Sequence, residues 1–342
     1  MNSLYLNAAN NQETQRPPIW LMRQAGRYMP EYRAIRSKHS FMSMIHNPTL
    51  AAEITLQPIQ AFGMDAAILF SDILTTAEAL GGHLEFHEGR GPLFKNPIRT
   101  AADLSQLNAQ TGKKKLSYVY EAAALTKQKL TDFGVPLIGF CGAPFTIAAY
   151  LVEGQSSPDL KTLKKLMFTE PEVVHHLLDL ITDITIDYAN GQLAAGVDAF
   201  QIFDTWALHL SWDDFKTFSL PYIQKIIAGL KNPGAAPVTV FARGSSGLAP
   251  LLATSGANVL SLDWQSNLPE IKKAYPHLAV QGNLDPHILY GSKAMIEQKV
   301  GLLLAAMKPY KGFIFNLGHG IMPDMDPETI RFLVKLVQSH GA

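Results

Sequence analysis

Eight short apolar runs punctuate the chain, at residues 19–22, 66–70, 137–140, 199–203, 238–241, 259–262, 278–280 and 312–315. They are rich in Ile, Val and Phe, lack polar alternation and break into small or polar residues, as strands buried on both faces do. Most of the gaps carry a helical pattern. Asn47-Pro48 reads as an N-cap followed by an N1 proline, opening an apolar-periodic segment that closes near Gly63. A second helix is predicted over residues 117–132, with Gly134 as its stop, and Glu170-Pro171 starts a long one ending near Gly196. Ser211 opens another, which Pro221 should bend. Short helices fit residues 248–253 and 269–274, and longer ones fit 292–307 and 326–337.

Strands alternating with helices imply parallel pairing, and eight units are the number that closes a (β/α)8 TIM barrel, an α/β fold. An open doubly wound sheet is the competitor. Against it, the first run is followed by Arg23-Gln24-Ala25-Gly26-Arg27, which is no Gly-x-Gly-x-x-Gly dinucleotide turn. With no repeat, low-complexity tract or linker, residues 1–342 are expected to form a single barrel domain, preceded by a short polar extension over about residues 1–15.

Composition narrows the function. Lys plus Arg equals Asp plus Glu at 29 each, so no global field draws the chain to nucleic acid or an anionic membrane. The start has no apolar core of a signal peptide, and no apolar run approaches the roughly 20 residues of a membrane span. A cytoplasmic protein is expected. The lone Cys141 excludes an internal disulfide and any multi-cysteine metal site.

Attraction for an anion must therefore be local. Five of the nine arginines (Arg16, Arg23, Arg27, Arg33, Arg36) precede the first lysine, Lys38, and only Glu13 and Glu31 oppose them. Such a concentration of Arg suits bidentate recognition of carboxylate or phosphate, and Gly26 would let backbone approach a ligand. The other reading is a surface ion-pair cluster.

In a barrel the chemistry sits at the C-terminal ends of the strands. Those ends carry Arg23 to Arg27, Ser71-Asp72, Cys141 to Pro144, Asp204-Thr205-Trp206, Ala242-Arg243-Gly244, Asp263-Trp264, Gln281 to Asp285 and Asn316 to Gly320. No strand-end lysine, Gly-x-Ser-x-Gly elbow or P-loop is present. His83, Glu85 and His87 have the spacing of a zinc set, but a glycine-bounded loop over the mouth is the preferred reading, so no metal is expected. Asp326 reads as a helix cap. The Gly-rich ends of the last two strands could instead bind phosphate, as in many barrels.

Four motifs carry a resemblance. Residues 22–33 (Met-Arg-Gln-Ala-Gly-Arg-Tyr-Met-Pro-Glu-Tyr-Arg) resemble the signature of the uroporphyrinogen decarboxylase family. Residues 70–74, residues 139–146 with 150–154, and residues 316–320 match further family motifs in the same order. The resemblance implies a (β/α)8 homodimer without metal or organic cofactor. It implies an enzyme that converts the four acetate arms of uroporphyrinogen III to methyl groups, giving coproporphyrinogen III and CO2. It further implies that Asp72 collects the pyrrole N–H groups, as a carboxylate with about four lone-pair sites can. Arg23, Arg27 and Arg36 become carboxylate clamps, with Gln24, Ala25 and Gly26 lining the approach, and Tyr150, Thr205 and His319 contact substrate. Arg23, Tyr150, His319 or an Arg-held water remain alternatives for the proton donor. Structural roles stand beside these: Asp72 as a helix cap, Tyr150 as a core residue, and Arg33 as structural. Two other functions are weighed, a corrinoid-linked methyltransferase of the same superfamily and a tetrapyrrole-binding protein without catalysis.

Overall fold

The computed structural model describes residues 3–87, 91–231 and 235–341. Its strands are β1 (Ala67–Ile68), β2 (Leu84–His87), β3 (Gly91–Phe94), β4 (Leu137–Gly142), β5 (Ala199–Asp204), β6 (Val238–Ala242), β7 (Val259–Ser261), β8 (Ala279–Leu284) and β9 (Phe313–Leu317). Seven form one parallel sheet in the order β1-β4-β5-β6-β7-β8-β9. The curled sheet and the helices around it are the α/β barrel that the apolar runs predict.

The first run differs. Residues 19–22 make a single parallel bridge, Ile19 to Phe315, rather than a ladder strand. The reason is that side chains take its amides: Ile19 N–H donates to Asp65 Oδ2 (2.8 Å), Leu21 N–H to Gln24 Oε1 (3.4 Å) and Met22 N–H to Asn316 Oδ1 (3.1 Å). The segment still closes the barrel. Phe315 N–H donates to Pro18 O on the β9 side, and Asp65 N–H to Ile19 O on the β1 side (2.9 and 2.8 Å).

Helix starts follow their capping residues. Asn47 Oδ1 accepts from Thr49 N–H and Leu50 N–H to open Pro48–Phe62, which Gly63 ends at φ +68°. Pro221 does more than bend its helix: the chain forms Trp212–Phe218 and then Leu220–Ala228, broken at Ser219. Asp326 Oδ1 caps Pro327–Gln338, as expected. The glycine-bounded stretch from Gly81 is not simply a loop: β2 and β3 pair antiparallel, and Glu85 on β2 pairs with Lys95 just beyond β3 (2.5 Å). The His87 side chain lies outside the described residues. Among the described residues, no group of three His, Cys, Asp or Glu side chains is placed to hold a metal. No helix among them is long and apolar enough to cross a membrane.

The N-terminal segment is also more than a polar extension. Leu4–Ala9 is a helix whose Tyr5, Ala8 and Ala9 are buried against Trp20, Ala66, Ile138 and Ala279, closing the bottom of the barrel. Asn11 then accepts from the buried Lys272 ammonium (2.6 Å) and donates to the carbonyls of Pro276 and His277. Inside the barrel, Trp20 Nε1 donates to Gln281 Oε1, and Gln281 Nε2 donates to Ser261 Oγ, tying three positions of the wall together (both 2.9 Å).

Candidate active site

At the top of the barrel the arginine-rich segment is laced to the end of β9. Besides the Met22–Asn316 bond, Ile321 N–H donates to Met22 O (2.9 Å). This sets Arg23 directly over Gly320: a Cβ there would stand 2.3 Å from Arg23 Cδ and 2.6 Å from Cγ. Gln24 N–H donates to Leu21 O (3.0 Å), making a tight turn in which Arg23 itself adopts φ +60°. The left-handed residue of the turn is thus Arg23 and not Gly26. A non-glycine residue held there costs about 1–3 kcal/mol, strain of the kind that clusters at functional sites.

Arg23 is open to solvent, yet desolvation by surrounding protein lowers its pKa, as expected in a concave site. Tyr150 and Asp72 oppose that shift, and the charges of Arg27 and Arg243 add to it. Asp72, just beyond β1, is partly accessible. Burial pushes its carboxyl up to about 6, against the opposing pull of Leu74 N–H and the Arg23 guanidinium. The capping alternative is half realised: Asp72 Oδ1 accepts from Leu74 N–H (2.8 Å), while no protein donor among the described residues reaches Oδ2.

Tyr150, on the helix Pro144–Glu153 that follows β4, packs edge-on to Trp206 (centroids 5.6 Å) with its phenol pKa raised by burial. His319 lies against Phe241 (6.2 Å), and burial with the charges of Arg23 and Arg243 drives its pKa down to about 3. It is a neutral imidazole at any physiological pH. Thr205 follows β5, half-buried, with no protein partner for its hydroxyl among the described residues.

The arginines divide. Arg16 is spent on a bidentate pair with Asp65 (both bonds 2.7 Å), and Arg33 on the carbonyls of Arg27 and Tyr28. Arg27 and Arg36 flank the Tyr32 phenol, beside an aromatic wall in which Phe70 packs against Tyr32 and Phe41. Arg36 also donates to His39 O (3.0 Å). Ala25 and Gly26 are half-buried beside Arg23. Gln24 is corrected: its side chain is fully buried, accepts from Leu21 N–H and donates to Ala66 O (3.3 Å), so it anchors the turn instead of lining the approach.

Two strand-end residues that the sequence placed at the mouth, but to which it gave no role, stand out in the structure. Asp204, fully buried at the end of β5, accepts from Thr146 Oγ1 (2.6 Å) and Ser219 Oγ (2.5 Å), while Thr146 Oγ1 accepts from Trp206 N–H (3.1 Å). It fastens the Tyr150 helix to the loop bearing Thr205. Arg243, at the end of β6, is the other; its scarcity as an arginine at a strand end was the available signal.

A cavity of about 320 Å³ lies behind Asp72, lined by His46, Thr75, Glu78, Lys115 and Tyr118. Its His46–Glu78 pair (3.1 Å) is separate from the arginines at the mouth, and Thr75 Oγ1 links the two by donating to Asp72 O (2.8 Å).

Comparison with known proteins gives a consistent result. The model of the family described as Uroporphyrinogen decarboxylase (URO-D) matches residues 1–340. The chain is 46% identical over 338 residues to the uroporphyrinogen decarboxylase of Trichlorobacter lovleyi, covering 98% of each chain. It is 47% identical over 337 residues to that of Desulfotalea psychrophila, again at 98% of each. Among solved structures, a methyltransferase from Methanosarcina mazei superposes with a TM-score of 0.80 over 99% of both chains, at 21% identity, a likeness of fold alone.

Proposed function

This chain belongs to the uroporphyrinogen decarboxylase family, and we propose that it removes CO2 from the four acetate arms of uroporphyrinogen III, leaving the methyl groups of coproporphyrinogen III. The observation that carries the reading is one desolvated carboxylate, Asp72, beside Arg23, with Arg27 acting on Arg23 in turn; neither guanidinium has a protein acceptor among the described residues. A polycarboxylate with converging N–H groups at its centre matches both charges.

Each arm reacts with a fixed balance. A proton adds to the pyrrole carbon adjacent to the one bearing the acetate, the bond to the carboxylate carbon breaks, and its electron pair flows into the cationic ring as an exocyclic double bond to the arm's carbon. The arm's carbon then takes up a proton as the ring loses the first, so each CO2 released consumes one proton. The substrate is its own electron sink, so the chemistry calls for neither metal nor organic cofactor. Asp72 accepts the pyrrole N–H groups through Oδ2 and offsets the ring cation, a fixed charge aimed at where charge develops. His319, with a pKa near 3, serves as a neutral hydrogen-bonding group and not as an imidazolium acid. Tyr150 is weakened as an acid by burial. Guanidinium is a poor acid in its own right. A water held by Arg23 is therefore the proton source in this reading. Arg36 joins Arg27 as a clamp for the peripheral carboxylates, and Thr205 supplies a hydroxyl.

The reading includes a cytoplasmic homodimer, as the family resemblance implies, and the balanced net charge offers no global attraction to nucleic acid or an anionic membrane. The test is anaerobic incubation of purified protein with uroporphyrinogen III in the presence of a chelator. Conversion to coproporphyrinogen III is expected; no turnover refutes the reading, and turnover that stops when metal is removed refutes its cofactor independence.

A further inference from the structure

Arg243 directly follows β6. Counted round the barrel from residues 19–22, which lie between β9 and β1, β6 occupies the fifth of eight positions and so faces the Arg23–Arg27 segment across the mouth. Its backbone is fixed on both sides. Arg243 N–H donates to Asp204 O (3.3 Å), and Gly244 N–H to Oδ2 of the buried Asp263 (2.5 Å). Gly244 takes φ +72°, and a Cβ there would meet Leu208 Cα at 2.9 Å, so the turn that presents Arg243 admits no other residue without strain.

The side chain is left without a partner. Among the described residues, the Arg243 guanidinium makes no hydrogen bond or ion pair, whereas Arg99 is held by Glu153 O and Arg331 by Glu328. Among the described arginines, only Arg23 and Arg27 share that condition. Arg243 is half-buried, and its charge acts on Arg23, His319 and His209, none of which can neutralise it. A partly desolvated cation facing another cation is an arrangement that an anion relieves. The proposed substrate carries carboxylates around its whole rim, so a clamp confined to Arg27 and Arg36 would leave those on the far side unpaired as they enter the mouth.

We infer that Arg243 binds a peripheral carboxylate of the macrocycle on the wall opposite Arg27. The inference rests on the decarboxylase reading, and its test separates the two. Full-length wild type, R243A and R243K are compared for steady-state decarboxylation and thermal stability, with a parallel fluorescence titration by uroporphyrin that reads binding without turnover. In R243A, KM and the uroporphyrin Kd should rise roughly 10–100-fold, the loss of one charge-assisted contact. Its kcat should stay within a few-fold and its Tm near wild type, and R243K should recover part of the affinity. An unchanged KM and Kd in R243A overturns the assignment, as does a loss of affinity matched by an equal fall in stability. Should R243A fail to fold, R243K against R243Q decides in the same way: equal affinities overturn the role. An inactive wild type counts against the decarboxylase reading, while the titration still decides Arg243.

Discussion

Replacing Asp72 by Asn should make the protein more stable while abolishing turnover. The carboxyl has a pKa of about 6 where an unfolded aspartate has 3.8. At roughly 1.4 kcal/mol for each pKa unit, the folded protein disfavours this anion by about 3 kcal/mol. Partial access to water discounts that figure, leaving roughly 1–3 kcal/mol. Asn keeps the oxygen that accepts from Leu74 N–H, so the turn survives the change. The sign follows from linkage. A carboxyl whose folded pKa is raised contributes most favourably below pH 3.8, and that contribution is lost as pH climbs through about 6. The stability gap between variant and wild type should therefore open between those values and level off above them. With about 2.1 cal/mol/K of unfolding entropy per residue over 342 residues, the gain corresponds to roughly 1–4 °C in Tm at pH 7.5. Denaturation of both proteins from pH 4.5 to 7.5, with turnover measured alongside, checks it; Asp204 titrates in both and cancels in the difference. A variant less stable than wild type at pH 7.5, or a gap independent of pH, refutes Asp72 as a desolvated anion. Retention of most activity refutes its proposed role.

The remaining expectations concern its neighbours. In a pH profile, kcat/KM should fall as pH drops through about 6, where Asp72 protonates, with no contribution from His319, whose pKa is near 3; a limb that vanishes in H319N would contradict this. Gly320→Ala should fold yet lose activity to the extent of Arg23→Ala, because the added methyl occupies the path of the Arg23 side chain; near-normal kcat/KM would show that Arg23 works from another position. Thr146→Val leaves Asp204 with one donor and Trp206 N–H with none, so unfolding studies should show a loss of about 1–3 kcal/mol together with weaker substrate binding. Arg33→Ala, by contrast, should leave KM within a few-fold while Arg27→Ala raises it at least tenfold, since Arg33 is spent on backbone carbonyls.

What was readable along the chain was what depends on short range. Seven apolar runs became ladder strands because a strand buried on both faces must be continuously apolar. Asn47, Ser292 and Asp326 cap the helices they precede because the orphan amides of a first turn need a local acceptor. The same locality let the motif register mark Arg23, Asp72 and His319 just beyond apolar runs and Tyr150 on the helix that follows β4. Tertiary structure decided the rest. Residues 19–22 have a strand's composition, but Asp65, Gln24 and Asn316 reach their amides first, and those contacts span up to 294 positions of sequence. The first 15 residues are polar taken as a whole, yet the helix Leu4–Ala9 within them plugs the barrel, because three of its residues share one buried face. Which arginines are free is likewise invisible in one dimension. Arg16, Arg23, Arg27 and Arg33 look alike in sequence, and only folding brings Asp65 to the first and backbone carbonyls to the last, leaving the other two facing Arg243 across the mouth. A pattern of residue types sets which groups want burial or a cap; whether a charge finds its partner depends on distances that exist only once the barrel has closed.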